Sequence, residues 1–188
     1  MNAMPAAART DGRSAPSDGF DALDEAHRRI LEVTGQLEAL VTALGYDEPD
    51  AAQRKQAAEI AEFYAAHVRT HHADEEKYVF PPLLRGSPEV VQAVLRLQQD
   101  HGWLEEDWLE LEPHLQSLAT GFGSCDRDLL RNGVEIFVAL LRDHVALEES
   151  LIYPEAKARL GDGTRRAMGR EMSERRRRER HGGARQHG

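Results

Sequence analysis

Eleven residues recur in this 188-residue chain in nearly the same form, HHADEEKYVFP at 71–81 and HVALEESLIYP at 144–154. Each copy sets a His four residues before a Glu, adds a second Glu, and closes on an aromatic residue followed by Pro. Agreement extends beyond those positions, because Glu62, Arg69 and Ala73 fall on Glu135, Arg142 and Ala146. This is an internal repeat, in which one supersecondary unit is used twice. It reaches upstream as well, since His27 precedes His71 by 44 residues and His101 precedes His144 by 43. Each half of the chain thus supplies His, His and Glu. If both halves are helical hairpins, a two-fold arrangement brings four imidazoles and two carboxylates to one place in the core.

The rest of the chain supports the helical hairpins. Apolar residues Leu23, Ala26, Ile30, Val33, Leu37, Leu40 and Leu44 recur at steps of three and four, and Gly45 ends the run. A second helix is expected from about Pro49 to Leu84, with an irregular last turn at Pro81 and Pro82. Ser87 followed by Pro88 reads as a cap and first turn. The third helix then carries His101, and Pro113 is expected to kink or interrupt it. Asp126 or Ser124 can cap the fourth helix, which passes Pro154 and stops near Gly161. Four long helices with short connections predict an all-α, up-down-up-down antiparallel four-helix bundle with a short fifth C-terminal helix. The expected division is a flexible arm over 1–19, the bundle over 20–161 and an Arg-rich helix or tail over 162–188.

Composition narrows the function. Net charge is −9, yet residues 165–188 hold nine Arg against three Glu, so the body is strongly acidic and a poor nucleic-acid binder. The Arg run reads as a solvated helix end. One Cys, Cys125, excludes an intramolecular disulfide framework. No stretch approaches the ~18 apolar residues of a membrane span, and the N-terminus lacks the apolar core of a signal peptide. A soluble cytoplasmic protein is the expectation.

A step of four residues on an α-helix turns about 40° past a full circle and rises about 6 Å, so His71 and Glu75 share a face, as do His144 and Glu148. Glu76 and Glu149 fall about 100° further round and read as a solvated face. A shift of the bridging role from Glu148 to Glu149 stays open. A carboxylate can join two cations while imidazoles hold each one, and mixed nitrogen and oxygen donors suit iron or manganese, with zinc also possible. His72 aligns with Val145 and is expected beside the site; His67 aligns with Leu140 and is expected to pack or to support it. Phe80 and Tyr153 occupy matched places and are expected to pack.

Carboxylate di-iron bundles of the ferritin type use Glu-x-x-His, which this chain lacks. Its His27, HHADEE, His101 and HVALEE segments instead resemble the hemerythrin-like family, the HHE cation-binding domain, over residues 20 to about 160. The resemblance implies His27, His71, His101 and His144 as terminal ligands of two irons and Glu75 and Glu148 as bridges. The family's well-known oxygen carriers have a further His where this chain has Glu105, so Glu105 or a water would complete that iron. Four imidazoles and two bridging carboxylates fill eight of roughly twelve octahedral positions, and an oxo or hydroxo bridge fills two more. The implied function is binding of dioxygen or nitric oxide, or sensing of iron or redox state, with a protein reductant as a possible partner. The alternative is a di-iron redox enzyme that reduces nitric oxide or peroxide, or donates iron for repair of damaged centres. The sequence leaves the oligomeric state open.

Overall fold

The computed structural model describes residues 18–45 and 47–183, with side chains as far as Arg178; the expected N-terminal arm before Asp18 lies outside the described residues. The described chain is all-α: α1 Gly19–Ala43, α2 Ala51–Asp74, α3 Pro88–Thr120, α4 Arg127–Leu147, α5 Tyr153–Arg159 and α6 Asp162–Gly183. Side-chain capping starts each bundle helix. Asp18 accepts the amides of Phe20 and Asp21, Asp50 that of Gln53, Ser87 that of Val90, and Asp126 those of Asp128 and Leu129. The Asp50 cap begins α2 just beyond Pro49, so that Pro precedes the helix rather than opening it. Gly121 ends α3 in the left-handed conformation at φ 72°, where an L side chain is strained.

Helices α1 to α4 close a ring, with α1 packed on α2 and α4, and α3 packed on α2 and α4. Matched contacts run in opposite directions along each pair. His27 meets His71 while Thr34 meets Tyr64, and His101 meets His144 while Trp108 meets Phe137. The bundle is therefore antiparallel, as the short connections predict.

Pro113 does not interrupt α3. It is exposed, whereas Leu111, Leu115 and Leu118 beside it are buried. Burial of each such Leu contributes roughly 1.5–3 kcal/mol, which together outweighs the roughly 3 kcal/mol that an internal Pro costs. The fourth helix passes Pro154 as expected and ends at Arg159, but not as a regular α-helix throughout. A π-helical turn over Glu148–Ile152 separates α4 from α5, and a matching π turn over Glu75–Val79 ends α2 before the 3-10 turn Pro81–Leu83. In each, an amide reaches back five residues, from Phe80 to the Glu75 carbonyl and from Tyr153 to that of Glu148. Pro81 and Pro154 follow directly. In a regular helix their rings would meet the carbonyl four residues earlier, and the wider turn relieves that clash.

The core is two apolar clusters with a polar layer between them. One holds Ile30, Leu37, Tyr64, Leu104, Phe137 and Leu141; the other holds Leu23, Phe80, Leu97, Ile152 and Tyr153. His27 lies between Leu23 and Ile30, and His101 between Leu97 and Leu104, so the sequence steps from one cluster to the other through a His. The terminal helix is longer than expected and is docked. Met168 and Met172 of α6 are buried in the second cluster, and a Cβ at Gly19 would collide with Met168. Arg175 pairs with buried Asp74, and Glu171 accepts from Lys77 and Tyr78. The Arg-rich segment is thus tied to the π turn of the first repeat.

Candidate metal centre

Each bundle helix delivers donors to the polar layer: α1 His27, α2 His71 and His72, α3 His101 and α4 His144, with Glu75 and Glu148 opening the two π turns. All seven are buried, and both carboxylates are fully so. The two oxygens of each carboxylate face different imidazoles. Glu75 Oε1 lies 3.4 Å from His71 Nε2 and 3.7 Å from His27 Nε2, while its Oε2 lies 3.5 Å from His101 Nε2. Glu148 Oε2 lies 3.2 Å from His27 Nε2 and its Oε1 3.3 Å from His144 Nε2.

Donor atoms converge in two groups, each with its atoms within 4.8 Å of one another: His27, His71, Glu75 and Glu148, and His72, Glu75, His101 and His144. Glu75 belongs to both. Six of the seven residues picked from the sequence are therefore brought together. Glu105 falls in neither group; its side chain is 46% exposed and pairs with Arg69 across α2 and α3. His72, expected beside the site, lies within the second group, stacked on His101 at 3.9 Å between ring centroids. His67 is exposed and stacks on Phe63, away from the donors.

The repeats exchange supports. Glu149 of the second copy holds His27 Nδ1 of the first at 3.0 Å, and Glu76 of the first holds His101 Nδ1 of the second at 2.8 Å. These carboxylates are not merely solvated: each fixes the tautomer and ring orientation of an imidazole whose Nε2 faces the centre. The aromatics cross in the same way, Tyr153 stacking on His27 at 5.1 Å and Phe80 on His101 at 5.6 Å. Tyr153 adds what Phe80 lacks. Its hydroxyl donates to Glu75 Oε1 at 2.6 Å and lies 3.1 Å from His27 Nε2. Sequence reasoning assigned Phe80 and Tyr153 to packing and Glu76 to solvent, and held Glu149 as solvated or as an alternative bridge; the doublet Glu-Glu in both copies was the available signal for the supporting role.

Electrostatics separate the imidazoles. Burial pulls His27 down, but the Glu148 and Glu75 carboxylates beside it overcome this and push the group up to about 10. Burial likewise opposes protonation of His144, which the nearby Asp100 and Glu148 carboxylates raise to about 9. Asp100 acts through charge there, since its Oδ2 is 3.8 Å from His144 Nδ1. His71 goes the other way: burial, reinforced by the neighbouring imidazoles, holds it at about 3 despite Glu75. Burial also keeps His72 well below the usual range. Glu75 stays well below the usual carboxylate range in spite of its burial, because His71, His101 and His27 surround it.

The donors fit metal cations on a direct test. Both ring nitrogens of His71 and His144, Nε2 of His72 and His101, Oε2 of Glu75 and both oxygens of Glu148 are buried without a hydrogen-bond partner. Leaving one such group unsatisfied costs about 1–3 kcal/mol, and a nitrogen-and-oxygen donor set is what first-row transition metals take. Ligation would satisfy one nitrogen of each of these imidazoles together with the carboxylate oxygens. No described helix is long and apolar enough to cross a membrane.

The model of the hemerythrin HHE cation-binding domain matches residues 18–156. An uncharacterized protein of Haemophilus influenzae is 26% identical over 160 residues, which cover 85% of this chain and 91% of that protein.

Proposed function

Because this chain belongs to the hemerythrin HHE cation-binding domain family, we propose that it holds two irons and uses them to bind dioxygen or nitric oxide, or to report iron or redox state. One observation carries the reading: Glu75 and Glu148 each present their two oxygens to imidazoles on different helices. That is the disposition of a carboxylate shared by two cations. His27 and His71 would hold one ion and His101 and His144 the other, with His72 as a further nitrogen donor on the second side.

A pair of irons supplies reversible one-electron chemistry and open coordination positions for a diatomic ligand. The chain supplies the rest. Glu76 and Glu149 hold His101 and His27 in register, so the imidazoles are oriented before any ion arrives. Tyr153 pins Glu75 by its hydroxyl, and burial together with Glu75 and Glu148 keeps its proton firmly on the oxygen. The apolar clusters above and below the polar layer exclude water.

Elemental analysis of protein purified without oxygen tests this, with about two irons per chain expected, followed by an absorption change on titration with nitric oxide. Isolation with a single zinc, or with no metal, removes the proposal. Repeated turnover of nitric oxide or peroxide with a reductant would move it from a binder to an enzyme.

A further inference from the structure

We propose that the cleft between α2 and α3 is the way in for small exogenous ligands, that it opens on the His72 and His101 side of the centre alone, and that Arg69 and Glu105 latch its mouth. The inference rests on the dinuclear reading for what waits at the inner end.

The cleft encloses about 530 Å³ and is lined by, among others, Arg69, His72, Ala73, His101, Gly102 and Glu105. Two of its lining residues, His72 and His101, are buried, and each keeps an Nε2 with no hydrogen-bond partner. The cavity thus reaches two residues of the second cation group. His27 and His71, from the first group, do not line it. A molecule travelling this path meets one ion position and not the other. The volume lies within the range of roughly 300–1,000 Å³ found for small-molecule sites, so molecules as small as nitric oxide or azide pass without obstruction.

Two small residues keep the walls apart. Ala73 stands on α2 between Arg69 and Glu76, and Gly102 on α3 between Gln98 and Glu105. A Gly inside a helix costs about 1 kcal/mol relative to Ala. Yet a Cβ at Gly102 would meet nothing within 4 Å. Packing therefore does not require glycine there, and a side chain would enter open space at the edge of the cleft that Gly102 lines. Across the mouth, the Arg69 guanidinium and the Glu105 carboxylate pair with side chains 76% and 46% exposed. Exposed pairs of this kind are worth about 0–1 kcal/mol, so thermal motion opens the latch readily.

The test compares Gly102→Leu, which fills the cleft from α3, with Ala73→Leu, which fills it from α2, and with Gly35→Leu on α1, where a Cβ also meets nothing within 4 Å. In the metal-free chain, peptide-mapped acylation by diethyl pyrocarbonate should slow at His72 at least about fivefold in both cleft variants, relative to exposed His67, and remain unchanged in Gly35→Leu. In the iron-loaded chain, stopped-flow azide association should follow the same order. Arg69→Ala and Glu105→Ala should each speed both processes about twofold or more. Circular dichroism checks that each variant folds, and either cleft variant alone suffices. Unchanged rates in a folded cleft variant overturn the route, and unchanged rates in both mouth variants overturn the latch. Failure of the wild-type chain to take up iron would overturn the dinuclear reading, while the acylation arm still judges the cleft.

Discussion

The two repeats build the centre from the same parts yet do not build the same environment. Each gives a His on its first helix, a His-x-x-x-Glu pair, a supporting Glu and a stacked aromatic. Tyr153 stands where the first repeat has Phe80, and His72 where the second has Val145. The first substitution places a hydroxyl on Glu75 and His27; the second adds an imidazole to the group around His101 and His144. The symmetric residues can hold two cations, and the asymmetric ones make the two positions chemically different. Duplication supplied the ligand plan, and departures from it supplied direction.

The hardest way to break the comparison is to remove a carboxylate. Glu75 faces three imidazoles and Glu148 two. Elemental analysis after iron loading should find Glu75→Ala nearly metal-free, while Glu148→Ala keeps about one ion per chain. Equal losses would mean that the two bridges are interchangeable.

Acidity comes next in size. His27 and His144, one from each repeat, are pushed up to about 10 and about 9, so at neutral pH cations must displace a proton from each. Affinity for the metal pair, read by chelator competition, should rise roughly a hundredfold per pH unit between about 6.5 and 8.5. The same shifts act on the metal-free fold. The raised His27 and His144 stabilise it fully below the ordinary His value of 6.5, and that contribution is lost as pH climbs through 9 to 10. His71, held at about 3, has the opposite effect: below 6.5 the unfolded chain takes up its proton and the folded chain does not. Thermal unfolding of the metal-free protein should therefore be latest near the ordinary His value and come earlier on both sides.

Two substitutions sharpen the comparison. His72→Val makes the first repeat match the second and should weaken one ion about tenfold, leaving the other unchanged, when stepwise affinities are measured. Tyr153→Phe makes the second repeat match the first. It removes a hydrogen bond to a charged, buried carboxylate, for which urea unfolding of the metal-free chain should record a loss of about 1.5–3 kcal/mol. If Tyr153→Phe is neutral, the hydroxyl is a passive difference between the halves.

Much of this was legible in the sequence, because helical periodicity and a duplicated motif both survive in one dimension. His27, His71, His101 and His144 were placed by their spacing and their matched neighbours, and Glu75 and Glu148 by sharing a helix face with a His. The supporting Glu76 and Glu149 were missed because their partners come from the other repeat, far away in sequence, and because both are about half exposed. His72 was set aside by the repeat itself, since alignment with Val145 argues only for features the copies share. Pro113 was expected to break a helix whose buried Leu residues hold it straight. The role of Glu105 was inferred from likeness; the observed side chain turns to Arg69, a partner that spacing along one helix cannot reveal.

The paired π turns also bear on how such a centre is gained or lost. Each adds one residue to a helix just after Glu75 or Glu148 and just before the aromatic that covers the opposite imidazole. Deleting one residue between 76 and 79, or between 149 and 152, would let the turn rewind to α, and because the wider turn already absorbs the extra residue, the helix downstream would keep its facing. What would return is the clash of the following Pro ring with the carbonyl four residues earlier. The extra residue thus serves the Pro rather than the register, and its loss would strain the segment that carries the aromatic cover without touching a donor side chain.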